Sequence, residues 1–307
     1  MIAELDVPLE CVWRAEAILG EGPVWLPAKQ QLLWVDVKSQ LVHLYSPDKN
    51  LHCSYLLPEP IGACLPAVDG RFLCALKSGV MLLDLPDHAG SEVCRIKPAA
   101  LTPFADPEPK LAGNRFNDAK IDDQGRLWVG SMDDREQDPT GALYRVNWDG
   151  NWQLMDQGYI VTNGPAFSPD GRTLYHTDTF AGEVHAFDLD TAGELSGKRL
   201  HIKIPPDDGF PDGMTVDNEG YIWLAHFAGG RLTRFDPSGR AVSILRLPVS
   251  NVTSCAFGGP NLDRLYITTA RWTLDDDDIA AEPLAGGLFV AEVDCRGAAS
   301  PIFGRLG

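Results

Sequence analysis

The sequence predicts an all-β fold, a six-bladed β-propeller occupying residues 1–307 as one domain, on three observations. Helical periodicity is scarce, whereas short β-branched and aromatic runs bounded by Gly, Pro, Asp and Asn fill the chain. One turn-and-strand unit recurs six times. Its spacing is that of a four-stranded propeller blade.

The six copies run in order. QQLLWVDV centres on Trp34, GRFLCAL on Leu73, GRLWVGS on Trp128, GRTLYHTD on Tyr175, GYIWLAH on Trp223 and DRLYITT on Tyr266. The steps between centres are 39, 55, 47, 48 and 43 residues. The longest step takes in the Pro-rich stretch from Lys97 to Lys110, as expected if insertions fall in loops. Turns such as Asp123-Gln124-Gly125, Asp170-Gly171 and Asn218-Glu219-Gly220 supply the residues that tight hairpins need. At the ends of the chain, CVWRAEAI from Cys11 is expected to complete the blade that holds GLFVAEV from Gly287. A β-sandwich has no reason to repeat one unit six times.

Composition narrows the partners. With 26 Lys+Arg against 43 Asp+Glu the net charge is −17, a field that repels phosphate backbones and anionic lipid surfaces, so neither nucleic acid nor a membrane is an expected partner. A small neutral molecule meets no such repulsion. The seven cysteines are odd in number and free of C-x-x-C spacing, which points to reduced thiols rather than a disulfide framework or thiolate metal site. MIAELDVPLE has neither the basic nor the apolar region of a signal peptide, and no apolar run reaches membrane length. The expectation is a cytoplasmic protein, with monomer as the default state.

Polar residues stand one strand upstream of the repeat centres. Glu21 in GEGPVW, Asn117 in NRFNDAKI, Asn163 in TNGPAF, Asp212 in PDGMTV and Asn251 in NVTSCAF lie 11 to 15 residues before them, whereas the second copy offers only Ile61 and Gly62. Innermost strands line the channel, so residues at one offset converge on the axis. Each alone reads as a turn residue. Together, Glu21, Asn163 and Asp212 form an all-oxygen set suited to one divalent ion, Ca²⁺, Mg²⁺ or Mn²⁺, or Zn²⁺ or Fe²⁺ with further ligands.

GEGPVW, NRFNDAKIDDQGRLWVGSM, TNGPAFSPDGRTLYHTDT and PDGMTVDNEGYIWLAH resemble the motifs of the gluconolactonase family, which includes regucalcin (senescence marker protein), in the same order and spacing from about Glu16 to about Asp294. NVTSCAFGGPNLDRLYITTAR and PLAGGLF resemble the corresponding parts of bacterial aldonolactonases such as xylonolactonases. The resemblance implies a six-bladed propeller with one divalent metal on a Glu, an Asn and an Asp, matching Glu21, Asn163 and Asp212. It also implies substrate contacts at Arg115 and Asn117, and an acidic contact between Asp133 and Glu136 for which Asp134 is the candidate.

The implied activity is hydrolysis of an aldono-lactone. The ion supplies Lewis acidity, Asp212 takes the proton of the attacking water, and Arg115 and Asn117 hold the sugar. No G-x-S-x-G or H-E-x-x-H motif supports another hydrolase class. His176 and His226 follow their repeat centres and are expected to be strand histidines bonded to neighbouring blades rather than catalytic bases. The acidic run Asp275 to Asp278 lacks the pattern of an EF-hand and is expected to be a solvated loop. Two other readings stay open: a non-catalytic, calcium-binding regulatory propeller, and a metal-dependent esterase.

Overall fold

The computed structural model describes residues 2–86 and 92–304. Each repeat centre sits on the second strand of a four-stranded antiparallel blade, and the six blades close into a ring, a six-bladed β-propeller. In blade order the inner strands are Gly20–Leu26, Ile61–Pro66, Asn114–Ile121, Thr162–Phe167, Phe210–Val216 and Val252–Gly258. The second strands are Gln31–Asp36, Phe72–Leu76, Leu127–Asp133, Thr173–Asp178, Ile222–Phe227 and Arg264–Thr269. Inner strands contact one another around the axis, and the first meets the sixth.

Closure works as the sequence suggests. Leu9–Trp13 pairs antiparallel with Leu288–Glu292 and becomes the outer strand of blade 6, joining the two ends of the chain. Two short parallel strands were not foreseen: Ala3–Glu4 extends blade 5, and Cys94–Arg95 extends blade 1. Two residues carry too little alternation to be read as strands.

Apolar side chains fill the spaces between blades. Trp34, Trp128 and Trp223 are fully buried in three blades, with Tyr175, Tyr266 and Leu73 in the others. In blades 3 and 5 an aspartate in the turn after the inner strand ties this core together. Asp122 accepts from Gln124 N, Arg126 N, Arg126 Nε (2.7 Å) and Trp128 Nε1 (2.8 Å); Asp217 does the same for Glu219 N, Tyr221 N, Arg234 and Trp223 Nε1. Removing such a hub strands a buried cation and an indole N–H at once. Asp122→Ala is therefore expected to cost about 3–5 kcal/mol, read as a drop of the thermal midpoint by roughly 5–15 °C. A drop under about 2 °C in thermal unfolding followed by circular dichroism would mean that water replaces the carboxylate at little cost.

Every inner strand is bulged near its start. The register with the second strand slips between Glu21 and Val24, Ile61 and Ala63, Phe116 and Ala119, Asn163 and Ala166, Pro211 and Met214, and Val252 and Ser254. A bulge re-aims the side chains beside it, so six strands present their first residues to the axis at one mouth of the channel. In blade 2 that position is Gly62, where an added Cβ would lie 2.1 Å from the Asn117 carbonyl oxygen and 2.5 Å from that of Phe116. Blade 3 occupies the space a side chain would need.

At the opposite mouth the chain's last described residues run beneath the ring. Asn218 N donates to Arg296 O, and Phe303 pairs with Ala67 and packs into the core. Between this segment and the strand ends lies a cavity of about 330 Å³, lined by Lys120, Phe167, Val216, Phe257 and Ala298 among others. The run expected as a solvated loop is instead largely helical: Asp276–Ala281 forms one and a half turns, started by a capping box between Asp275 and Asp278, with no buried residue. Among the described residues no helix is long and apolar enough to cross a membrane, and all seven cysteines are free thiols.

Candidate metal and substrate site

The bulged mouth gathers Glu21, Asn163 and Asp212, each at most 6% exposed. Asn163 is oriented by its neighbours. Its Nδ2 donates to Thr179 Oγ1 (3.0 Å), which turns Oδ1 toward Asn117 Nδ2 at 3.0 Å and leaves that oxygen a second lone pair. Asn117 in turn gives Nδ2 to Thr162 O (2.7 Å) and takes Arg115 Nη1 at Oδ1 (2.5 Å). Arg115, Asn117 and Asn163 thus form one relay from blade 3 to blade 4.

Among the described residues the carboxylates of Glu21, Asp118 and Asp212 have no ion-pair partner, and Glu21 accepts only from Gly22 N (3.2 Å). Asp212 Oδ1 is buried with no hydrogen-bond partner at all. Burial and mutual repulsion hold these groups toward their protonated forms. Glu21 rises to about 8, chiefly by desolvation and then by Asp118; Asp212 is raised well above the carboxylate range by desolvation, Glu21 and Asp118.

Asp118 is a site residue that the sequence reading missed. It is buried beside Asn117, with Oδ1 held by Ala119 N (2.7 Å) and Oδ2 unpartnered, and desolvation lifts it to about 6. The visible signal was its place in NRFNDAKI, inside the same bulge as Asn117. Among the described residues no three His, Cys, Asp or Glu side chains converge as a ligand cluster, so Asp118 stands next to Glu21 and Asp212 without joining them in one shell. A set of two carboxylates and one carboxamide oxygen, with a buried, unpartnered oxygen on Asp212 and no ion-pair partner among the described residues, fits a hard divalent ion.

Other expected positions divide. Asn251 is fully committed elsewhere: Oδ1 accepts from Ala228 N and Nδ2 donates to Trp272 O, pinning two loops. Asp134 lies at the rim, bridging Lys77 Nζ (2.7 Å), Arg115 Nε (3.2 Å) and Lys38 Nζ (3.9 Å). Glu136, from the same loop, acts electrostatically on Arg115 and Asp212.

The histidines differ from expectation in their partners. His176 is fully buried edge-on to Tyr159, with neither ring nitrogen hydrogen-bonded, and burial lowers it to about 3. His226 bonds through Nδ1 to Asp208 O (2.9 Å), in the turn leading into its own blade, and burial lowers it to about 4. Both are neutral near pH 7.

Comparison with known proteins agrees with this architecture. The family described as SMP-30/Gluconolactonase/LRE-like region matches residues 19–271. A 6-deoxy-6-sulfogluconolactonase of Pseudomonas putida is 34% identical over 97% of this chain and 99% of its own. A pentonolactonase of Haloferax volcanii is 34% identical over 91% and 92%. The crystal structure of a calcium-binding protein, regucalcin, from Agrobacterium tumefaciens superposes with a TM-score of 0.90 at 28% identity, covering 99% of each chain. The chain belongs to the SMP-30/gluconolactonase/LRE-like family.

Proposed function

We propose that this chain is a lactonase, an ester hydrolase that opens an aldono-lactone to its aldonic acid, using one divalent ion held by Glu21, Asn163 and Asp212. The observation that carries the reading is the buried, unneutralised carboxylate pair with Asp212 Oδ1 unpartnered, one relay away from a buried arginine. Relatives named for 6-deoxy-6-sulfogluconolactone and pentonolactone hydrolysis support the reaction class.

When bound, a divalent ion supplies Lewis acidity to the lactone carbonyl and lowers the pKa of water. The chain's own groups do the rest. Asp212, with one oxygen free of protein partners, takes the proton of the attacking water. Arg115 presents its remaining N–H groups to the sugar oxygens. Asn117, whose Nδ2 is spent on Thr162 and Asn163, offers the remaining Oδ1 lone pair to a sugar hydroxyl, and together they hold the carbonyl near Asp212. Asp134 keeps the Arg115 guanidinium at the rim, and burial of Asp212, Arg115 and Asn117 removes competing water.

The test strips the metal, restores Ca²⁺, Mg²⁺, Mn²⁺, Zn²⁺ or Fe²⁺ singly, and follows acid release from D-xylono-, L-arabinono- and D-glucono-lactone. Turnover that needs an ion and exceeds spontaneous opening by at least about 10³-fold is expected. A calcium-binding regulatory role has its own support in the name of the Agrobacterium structure. Ion binding without turnover on any lactone or aryl ester would favour that role over catalysis.

A further inference from the structure

The rim beside Arg115 holds more cations than its acids can engage. Lys38 comes from the turn after the second strand of blade 1, Lys77 from the turn after the second strand of blade 2, and Arg115 from the inner strand of blade 3. All three converge on Asp134. Only Lys77 makes a hydrogen bond to it (2.7 Å); Lys38 stands off at 3.9 Å, and Arg115 Nε, at 3.2 Å, is off the line a hydrogen bond needs. Glu136 is the other carboxylate that Arg115 and Lys38 feel, and its side chain makes no ion pair among the described residues.

Donor capacity is therefore left over. An ammonium has three N–H donors and a guanidinium five. Lys38 spends none on hydrogen bonds, Lys77 one, and Arg115 only Nη1, on Asn117 and the Phe116 carbonyl. Lys38 is also held 4.3 Å over the Trp272 ring of blade 6, a half-exposed aromatic at the same rim. Its pKa is lowered by burial first and by Arg115 next, as expected where cations crowd.

The position relative to the reaction centre matters as much as the charge. Arg115 reaches Asn163 through Asn117 alone, in hydrogen bonds of 2.5 and 3.0 Å. A six-carbon lactone spans roughly 7 Å from its carbonyl to its terminal substituent, taking bonds of about 1.5 Å, so one molecule can touch both ends of the relay. Sugar hydroxyls would be served by Arg115 and Asn117. Two further lysines fixed over the same opening cost side-chain entropy that a neutral sugar does not return, whereas charge-assisted bonds to an oxyanion are about twice as strong as neutral ones.

We propose that Lys38, Lys77 and Arg115 form an oxyanion subsite, and that the lactone opened here carries an anionic group, a sulfonate, phosphate or carboxylate, on the carbon farthest from its carbonyl. This rests on the lactonase reading above. The overall charge of −17 opposes an anion at long range, but salt screens exposed charges beyond about 8 Å at physiological ionic strength, and at contact the three cations outnumber the rim carboxylates Asp134 and Glu136.

The experiment compares kcat/KM of the metal-loaded enzyme on D-glucono-lactone, its 6-phospho and 6-sulfo analogues, and D-glucaro-lactone. One anionic substrate is expected to exceed the neutral lactone at least about tenfold, and that ratio to collapse toward one in the Lys38→Met/Lys77→Met double variant; the best analogue names the group. Calorimetry with gluconate and 6-phosphogluconate provides a readout independent of turnover. Tighter binding of the phosphorylated acid that disappears in the double variant supports the subsite even if no lactone is opened, and in that case only the lactonase reading falls. Neutral lactone turned over as well as every charged analogue, or a preference and a binding difference that survive in the double variant, overturns the subsite and leaves lactonase activity standing.

Discussion

Asp212→Asn is expected to lower kcat at least about 10³-fold while leaving the propeller folded, because it removes both the charge that holds the ion and the base that accepts the proton of water. Its second expected effect has the opposite sign. Without metal, Asp212 is a buried carboxyl crowded by Glu21 and Asp118, so neutralising it relieves repulsion and desolvation. The metal-free variant is therefore expected to melt above metal-free wild type at pH 8, as function-bearing polar groups often do when removed. Steady-state rates, thermal unfolding and bound metal measured on the same samples check both halves. Wild-type turnover in Asp212→Asn would sink its assignment as the base. Arg115→Ala separates binding from chemistry: KM is expected to rise with metal content unchanged, since Arg115 reaches the ligand set only through Asn117.

The fold was legible because each blade repeats a turn, a β-branched or aromatic strand and a tight hairpin, and the six centres all fall on second strands. Sequence order does not reveal pairing register, and there the reading was approximate. Glu21 and Asn163 precede their bulges, whereas Asp212 lies inside one, a residue further along by strand pairing. The bulges let residues at unequal offsets reach the axis together. They cannot be seen in one strand, because a bulge is defined by the partner that skips it.

The same limit explains what was missed. Asp118 follows Asn117 with nothing local to set it apart; only its burial and unpartnered Oδ2 mark it. Lys38 and Lys77 sit in unremarkable turns 39 residues apart, and nothing local says that both turns face Asp134 of a third blade. Conversely, Asn251 matched the offset yet is spent on loop carbonyl and amide groups. A repeat offset finds positions that face the channel, while the hydrogen bonds decide which of them remain free for a ligand.

Metal binding is expected to stabilise the protein far more at pH 8 than at pH 5. The carboxyls of Glu21, at about 8, and Asp118, at about 6, are raised in the metal-free fold above their ordinary values of 4.5 and 3.8. A raised acid keeps its proton in the folded state after the unfolded chain has lost it. The folded state then binds more protons, so stability falls as pH climbs from about 4 to about 8, and the raised Asp212 carboxyl acts in the same direction. A divalent ion replaces those protons, and its affinity grows over the same window. The ion-induced gain in thermal midpoint is expected to be near zero at pH 5 and about 10 °C at pH 8, in line with a few kcal/mol at ion concentrations far above Kd. Differential scanning calorimetry with and without ion, pH by pH, cancels the contributions of distant groups. A gain that is flat across pH would mean that the ion sits away from the Glu21 and Asp212 carboxyls and their neighbour Asp118, because only carboxyls that must shed protons couple binding to pH in this direction.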